Sequence, residues 1–187
     1  MLAGRGFSAL ALSGSPDTMN EAHLLSLPPV SGSIDEVRFD AAGTCNWVRF
    51  VDGEYQEWCG VFGRGFTNGV NAVVNRYGHC FVLSSGQGYL VDVHSRALLH
   101  KTEYGWLVSV ISITETDIFL ACDNTHLIAY SPAGIVWESE RVSIDGITFV
   151  EVSESTVKGQ VWNMEDWVDF ELRIDGWNYR SEYVCDF

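Results

Sequence analysis

The sequence predicts an all-β chain built from antiparallel four-stranded sheets that repeat, and three observations predict it. Short runs of β-branched and aromatic residues recur along the 187 residues. Gly, Pro, Asp and Asn punctuate those runs at close intervals, where turns want them. A stretch of 32 positions also falls on itself, without a gap, 38 residues later. Composition agrees with one domain that has its own core: 47% of the residues are hydrophobic, and seven Trp, seven Tyr and ten Phe exclude a disordered chain.

The first 33 residues are the least regular. Phe7–Leu12 and His23–Leu27 are short strand candidates between loops, and they are the segments to cover an open sheet edge. Glu36–Asp40, the turn Ala41-Ala42-Gly43, Asn46–Val51, the turn Asp52-Gly53 and Tyr55–Phe62 follow. The repeat comes next. Val70–Lys101 falls on Val108–Ser139, so Phe81-Val82-Leu83 meets Phe119-Leu120-Ala121 and Tyr89-Leu90-Val91 meets Leu127-Ile128-Ala129. Turns keep the register, with Ser85-Gly86-Gln87 over Asp123-Asn124-Thr125 and His94-Ser95-Arg96 over Pro132-Ala133-Gly134.

One segment offers two periods. Val70, Val73, Val74 and Tyr77 have helical spacing, but their counterparts Val108, Ile111, Ser112 and Glu115 lie in a β-branched stretch, so the register favours a strand. Farther on, Thr148–Val152, Thr156–Trp162 and Trp167–Ile174 read as strands of a last unit that has one strand short or missing. The blade-like units run from about 34–66, 67–104, 105–145 and 146–176. Their alternating apolar positions place Phe81, Leu83, Phe119, Ala121, Leu127, Ala129, Trp137 and Trp162 in the core.

Four short strands per unit of about 40 residues is the signature of a β-propeller blade. The second copy resembles a blade of the quinoprotein-type (PQQ-like) repeat, through Phe119-Leu120-Ala121, His126-Leu127-Ile128-Ala129-Tyr130 and Ala133-Gly134-Ile135-Val136-Trp137-Glu138. The first copy keeps Phe81-Val82-Leu83 and Gly88-Tyr89-Leu90-Val91-Asp92-Val93 but has Arg96 and Leu99 in place of the Gly and Trp. The likeness is clear over about residues 70–140. Six to eight such blades would need about 240 residues or more, so the expectation is a small four-bladed ring or a partial, open β-propeller-like assembly. The quinone of some relatives needs a complete ring with convergent ligands, and no cofactor is expected.

Reactive motifs are sparse. Gly60–Gly65 lacks the Gly-Lys-Ser/Thr of a phosphate loop and reads as a tight turn with close backbone approach. Ser84-Ser85-Gly86 is a hairpin turn, not a nucleophile elbow. Asp92 and His94 share one face of an extended segment, and Asp123 can reach His126 across a turn; either pair could supply a base or metal ligands. The acids of Asp52-Gly53-Glu54 and Asp166–Asp169 do not make a calcium loop. The five cysteines have no zinc spacing, and they read as reduced thiols of a cytoplasmic protein.

Charge says more. The chain carries 25 acids against 11 bases, a formal −14, which argues against nucleic-acid binding. No run is long and apolar enough to span a membrane as a helix. Residues 138–187 hold 12 of those acids and four of the bases, among several aromatics. Trp162, Glu165, Asp166, Trp167, Asp169, Trp177 and Tyr179 are therefore the candidate contact residues for a basic protein partner. The leading expectation is a non-catalytic interaction protein, of the inhibitor or immunity type. The alternatives are a hydrolase with a site near Asp92 and His94, and one module of a propeller-like homo-oligomer.

Overall fold

Residues that alternate between two faces need something to cover each face, and this requirement sets the architecture. In the computed structural model, which describes residues 20–30 and 32–185, sixteen strands form four four-stranded sheets, with no helix among the described residues. Sheet 1 holds β1 (Glu21–Leu25), β2 (Asp35–Phe39), β3 (Cys45–Val51) and β4 (Glu57–Gly63). Sheet 2 holds β5 (Val70–Val74), β6 (His79–Ser84), β7 (Gln87–Asp92) and β8 (Leu98–Lys101). Sheet 3 is β9 (Ser109–Ser112), β10 (Phe119–Cys122), β11 (Leu127–Ser131) and β12 (Gly134–Glu138). Sheet 4 is β13 (Ile147–Val152), β14 (Thr156–Trp162), β15 (Trp167–Arg173) and β16 (Asn178–Ser181).

Sheets 2, 3 and 4 are plain antiparallel meanders in chain order. Sheet 1 is not. Its order is β1-β3-β4-β2, and β2 runs parallel to β4, with Val37 opposite Gly60. The turn at Ala41-Ala42-Gly43 therefore leads from the outermost strand across the sheet rather than closing a hairpin. Asp40, just before it, takes a positive φ of 52°. The strand expected at His23–Leu27 is β1, paired with β3 along the sheet's inner side. Phe7–Leu12 lies outside the described residues. Val70–Val74 is a strand, as the register favoured. The last unit has all four strands; β16 lies past Gly176 and pairs Tyr179 with Leu172.

Three apolar layers hold the sheets in a row. Cys80, Val82, Tyr89 and Val91 of sheet 2 pack on Val48, Phe50, Trp58 and Phe62 of sheet 1. The alternate residues Phe81, Leu83 and Leu90 face sheet 3 and meet Phe119, Ala121 and Tyr130. Leu120, Cys122, Leu127 and Ala129 then face Val157, Val161, Phe170 and Leu172 of sheet 4. The middle sheets thus read as continuous apolar runs because both of their faces are covered. On the inner side β1 lies against β5 and β5 against β9. Among the described residues, no buried cluster joins sheet 4 to sheet 1. Among the described residues, the four sheets therefore follow one another as an open row.

Turns are set by side-chain oxygens as much as by glycine. Asp52, Asn75, Asp123 and Asn163 each accept two backbone N–H bonds within a hairpin turn. Such bonds substitute for the ladder where the chain reverses. They also account for Asp52 and Asn75 being buried. Where a middle strand carries glycine, an aromatic ring fills the space: a Cβ at Gly159 would meet the Phe170 ring at 2.6 Å.

Six of the eight expected core residues are fully buried, whereas Trp137 and Trp162 are half-buried. Trp162 sits on the uncovered side of β14 and Trp137 on the outermost strand of its sheet. Truncating Phe119 to Ala should cost about 3–5 kcal/mol, as for other buried aromatics. Trp162→Ala should cost about 1 kcal/mol or less, since it opens no cavity in a layer. Urea titration of both variants checks the assignment of inside and outside.

Candidate functional site

A sheet at the end of a row has one dry face and one wet face, and sheet 4 shows the consequence in its sequence. Along β14 and β15 the residues alternate strictly: Val157, Gly159 and Val161 pair with Leu172, Phe170 and Val168 toward the core. Lys158, Gln160 and Trp162 pair with Glu171, Asp169 and Trp167 on the other side. No sheet covers this second face among the described residues. It is laced by Lys158–Glu151 at 2.9 Å and by the Gln160 amide donating to Asp169 at 2.8 Å. Trp162 and Trp167 tilt against each other at 5.6 Å beside the turn that carries Glu165 and Asp166.

The structure divides the seven candidate contact residues. Trp162, Glu165, Asp166, Trp167 and Asp169 gather on this outer face and its adjoining turn. Trp177 and Tyr179 do not join them. Trp177 stacks on Trp137 at 5.0 Å and both pack against the layer between sheets 3 and 4. Tyr179 lies along Phe170 at 5.5 Å, and burial pushes its phenol up to about 12.

In their place come Gln160 and Glu182. With Trp167, Val168 and Asp169 they line an open depression of about 450 Å³. An indole flanked by two carboxylates is a receptor for a guanidinium or ammonium group, which gains ring contact and charge together. In the sequence Glu182 is only one of the 12 acids of residues 138–187, because β16, the strand that leads to it, lacks an apolar run to mark its place. The alternation in 157–172 was the signal that could have marked the face.

The second candidate set is also rearranged. His94 Nδ1 approaches Asp52 at 3.4 Å. Asp92 instead accepts from the Ser95 N–H and hydroxyl at 2.6 and 2.8 Å and lies 3.7 Å from His79 Nε2. The other nitrogen of His79 is 2.6 Å from Asp117, which also accepts from the Asn75 amide at 2.9 Å. His79 thus bridges sheet 2 to the loop entering β10 of sheet 3. The 38-residue register holds the clue: it superimposes His79 on Asp117, and Tyr77 on Glu115, whose carbonyl accepts from the Tyr77 hydroxyl at 3.4 Å. His79 joins acids of two neighbouring units, so the group acts as a clasp between blades. No cluster of three metal-ligating side chains occurs among the described residues. Asp123 and His126 do approach, at 3.6 Å, but the Asp123 carboxylate is taken up by the turn N–H groups.

Four four-stranded sheets, three of them antiparallel meanders, layered face to face define a β-propeller-like protein. Among solved structures the chain is similar to Kuenenia stuttgartiensis hydrazine synthase, at 11% identity and a TM-score of 0.50, over 84% of this chain and 52% of that one. It is also similar to the β-propeller domain of the Trilobed protease from Pyrococcus furiosus, described as having an open velcro topology. There the identity is 7% and the TM-score 0.52, over 87% of this chain and 57% of that one. The chain therefore spans about half the length of the solved structures it matches. No family model and no curated protein matches it.

Burial opposes the charge on Asp92, but the Ser95 N–H and hydroxyl, with His79 and His94 beyond, outweigh it and hold the carboxyl below its ordinary value. A carboxyl depressed in the folded state stabilises the fold above the unfolded value of about 3.9, and that contribution is lost as pH falls through the folded value. The native protein should therefore lose stability faster than Asp92→Asn as the medium is acidified below about pH 4. Melting temperatures of the two proteins across that range test the clasp.

Proposed function

We propose that this protein is a non-catalytic binding module that docks a basic protein face on the outer side of sheet 4. The observation that carries the reading is the depression built from Trp167, Asp169 and Glu182 on a face that no other sheet covers among the described residues. Glu151, Glu165, Asp166 and Glu171 surround it, against Lys158 and Arg180, so the surface favours cations. Acids of one sign raise encounter rates with a basic partner, and half-exposed Trp side chains supply contact area once docked.

An inhibitor or immunity-type role fits such a surface. The quinoprotein-type character of the two middle blades is a likeness of strand sequence, and the reading assigns it no cofactor. The hydrolase alternative is weaker because His94 and Asp92 each have a separate structural partner.

A heptaarginine peptide is a suitable probe. Its association rate should fall markedly between about 0.05 and 0.5 M salt, as the Debye length shrinks several-fold. The triple reversal Glu165→Lys, Asp166→Lys and Asp169→Lys should slow association far more than reversal of Glu21 and Glu54. Trp167→Ala should act chiefly on dissociation. Stopped-flow rates indifferent to both salt and the triple reversal would leave the acids with a solvating role only.

A further inference from the structure

A second concave site lies at the other side of the molecule, between sheets 1 and 2, and its floor is the glycine-rich run of the β4–β5 connection. There Gly65 brings three backbones together: a Cβ on it would lie 2.6 Å from the Gln87 nitrogen and 2.8 Å from the Gly105 carbonyl. Close approach at this point displays the side chains of Arg64, Phe66 and Thr67 toward a cleft of about 660 Å³ that Asp40, Thr44 and Gln87 also line. The volume is that of an ordinary small-molecule site, yet the lining is mainly polar.

Arg64 differs from most of the other cations. Arg38, Arg49, Arg76, Arg96, Lys158 and Arg173 each meet an acid. Arg64 has no carboxylate within ion-pair distance among the described residues; its Nε donates to the Ser85 hydroxyl at 2.7 Å, which leaves both terminal nitrogens unengaged. Ser85 is buried, takes a positive φ of 52° in a two-residue hairpin turn with Gly86, and also accepts from the Asn46 amide at 3.2 Å. Asn, Asp or Gly would fit that turn position with less strain. The serine hydroxyl instead aims the guanidinium. Nearby, Lys101 neutralises Asp40, and the Gln87 amide is fixed by Thr102 at 2.6 and 2.8 Å so that its oxygen remains an acceptor.

Phe66 lines the cleft, and Trp106 stands beside it. Phe66 is 75% exposed and Trp106 57% exposed; they tilt together at 5.0 Å, and the Phe66 N–H donates to Gly105 to hold the two loops in step. We propose that this cleft binds an acidic sugar, with its carboxylate on Arg64, its ring face against Phe66 and Trp106, and its hydroxyls on Asp40 and Gln87. A fork of two N–H groups matches a carboxylate. An apolar platform beside fixed polar groups suits a ligand that has both a C–H face and a rim of hydroxyls. An apolar ligand would leave those groups unpaired.

Calorimetric titration with tetragalacturonate, its fully methyl-esterified form and inorganic phosphate tests the assignment. The acid oligomer should bind, and both masking the carboxylates and Arg64→Ala should weaken it about tenfold, the worth of a charge-assisted bond pair at an open site. Arg64→Lys should fall between, because it keeps the charge and loses the fork. The double variant Phe66→Ala, Trp106→Ala should weaken binding with no change in melting temperature, since both rings are exposed. Equal binding of acid and ester, full binding by Arg64→Ala, or no heat with tetragalacturonate would overturn the proposal. Binding of phosphate at Arg64 that is indifferent to Phe66 and Trp106, with tetragalacturonate showing the same indifference, would also overturn it in favour of a plain anion site.

Discussion

Face-to-face burial between neighbouring sheets is the constraint on which the rest of this structure depends. A strand presents alternate residues to opposite sides, so a sheet is stable only when each side is either covered or wetted on purpose. Sheets 2 and 3 are covered on both sides, and their central strands carry continuous apolar runs, as in Phe81-Val82-Leu83 and Phe119-Leu120-Ala121. Each fully buried Phe or Leu there contributes about 1.5–3 kcal/mol of transfer free energy. Among the described residues, the end sheets have one neighbour each. Sheet 4 meets this with charge and Gln on its outer side, in the manner of a capping repeat at the end of a solenoid.

Both candidate sites follow from that geometry. The outer face of sheet 4 is free to carry acids and indoles because nothing in the core needs it. The cleft between sheets 1 and 2 arises where the apolar layer ends and polar bonds take over the joint. There Tyr89 donates to the Gly63 carbonyl at 3.1 Å and the Asn46 amide to Ser84 at 3.0 Å. Burial pushes the Tyr89 phenol up to about 12, so it stays a donor across the physiological range.

Much of the fold was legible because two blades are copies. The 38-residue register located the middle sheets, decided the strand at Val70–Val74, and brought His79 over the Asp117 it touches. What resisted reading was non-local or degraded. The parallel partnership of β2 with β4 leaves no local mark, since Ala41-Ala42-Gly43 looks like any hairpin turn. Strand β16, with Asn178 and Arg180 among its four residues, lacks the apolar run that announced its counterparts. Site residues were partly legible for the same reason. Composition drew attention to Trp162, Trp167 and Asp169, but it could not tell them from Trp177 and Tyr179, whose stacking partners lie on other strands.

An open row also differs mechanically from a hoop. In a closed ring, any rotation between two blades must be undone elsewhere around the circle. Here three joints act in series, so small rotations at each add up and the separation of the two end sheets is their sum. The His79 bridge to Asp117 stiffens the middle joint, and the Asn46 and Tyr89 bonds stiffen the first. The joint between sheets 3 and 4 relies mainly on its apolar layer, joined by the Asn124–Asp145 bond and the Ser143 hydroxyl shared between Gly146 and Trp162. Among the described residues, the angle between the two end sheets is therefore set by all three joints together, and a rotation at any one of them adds to the whole.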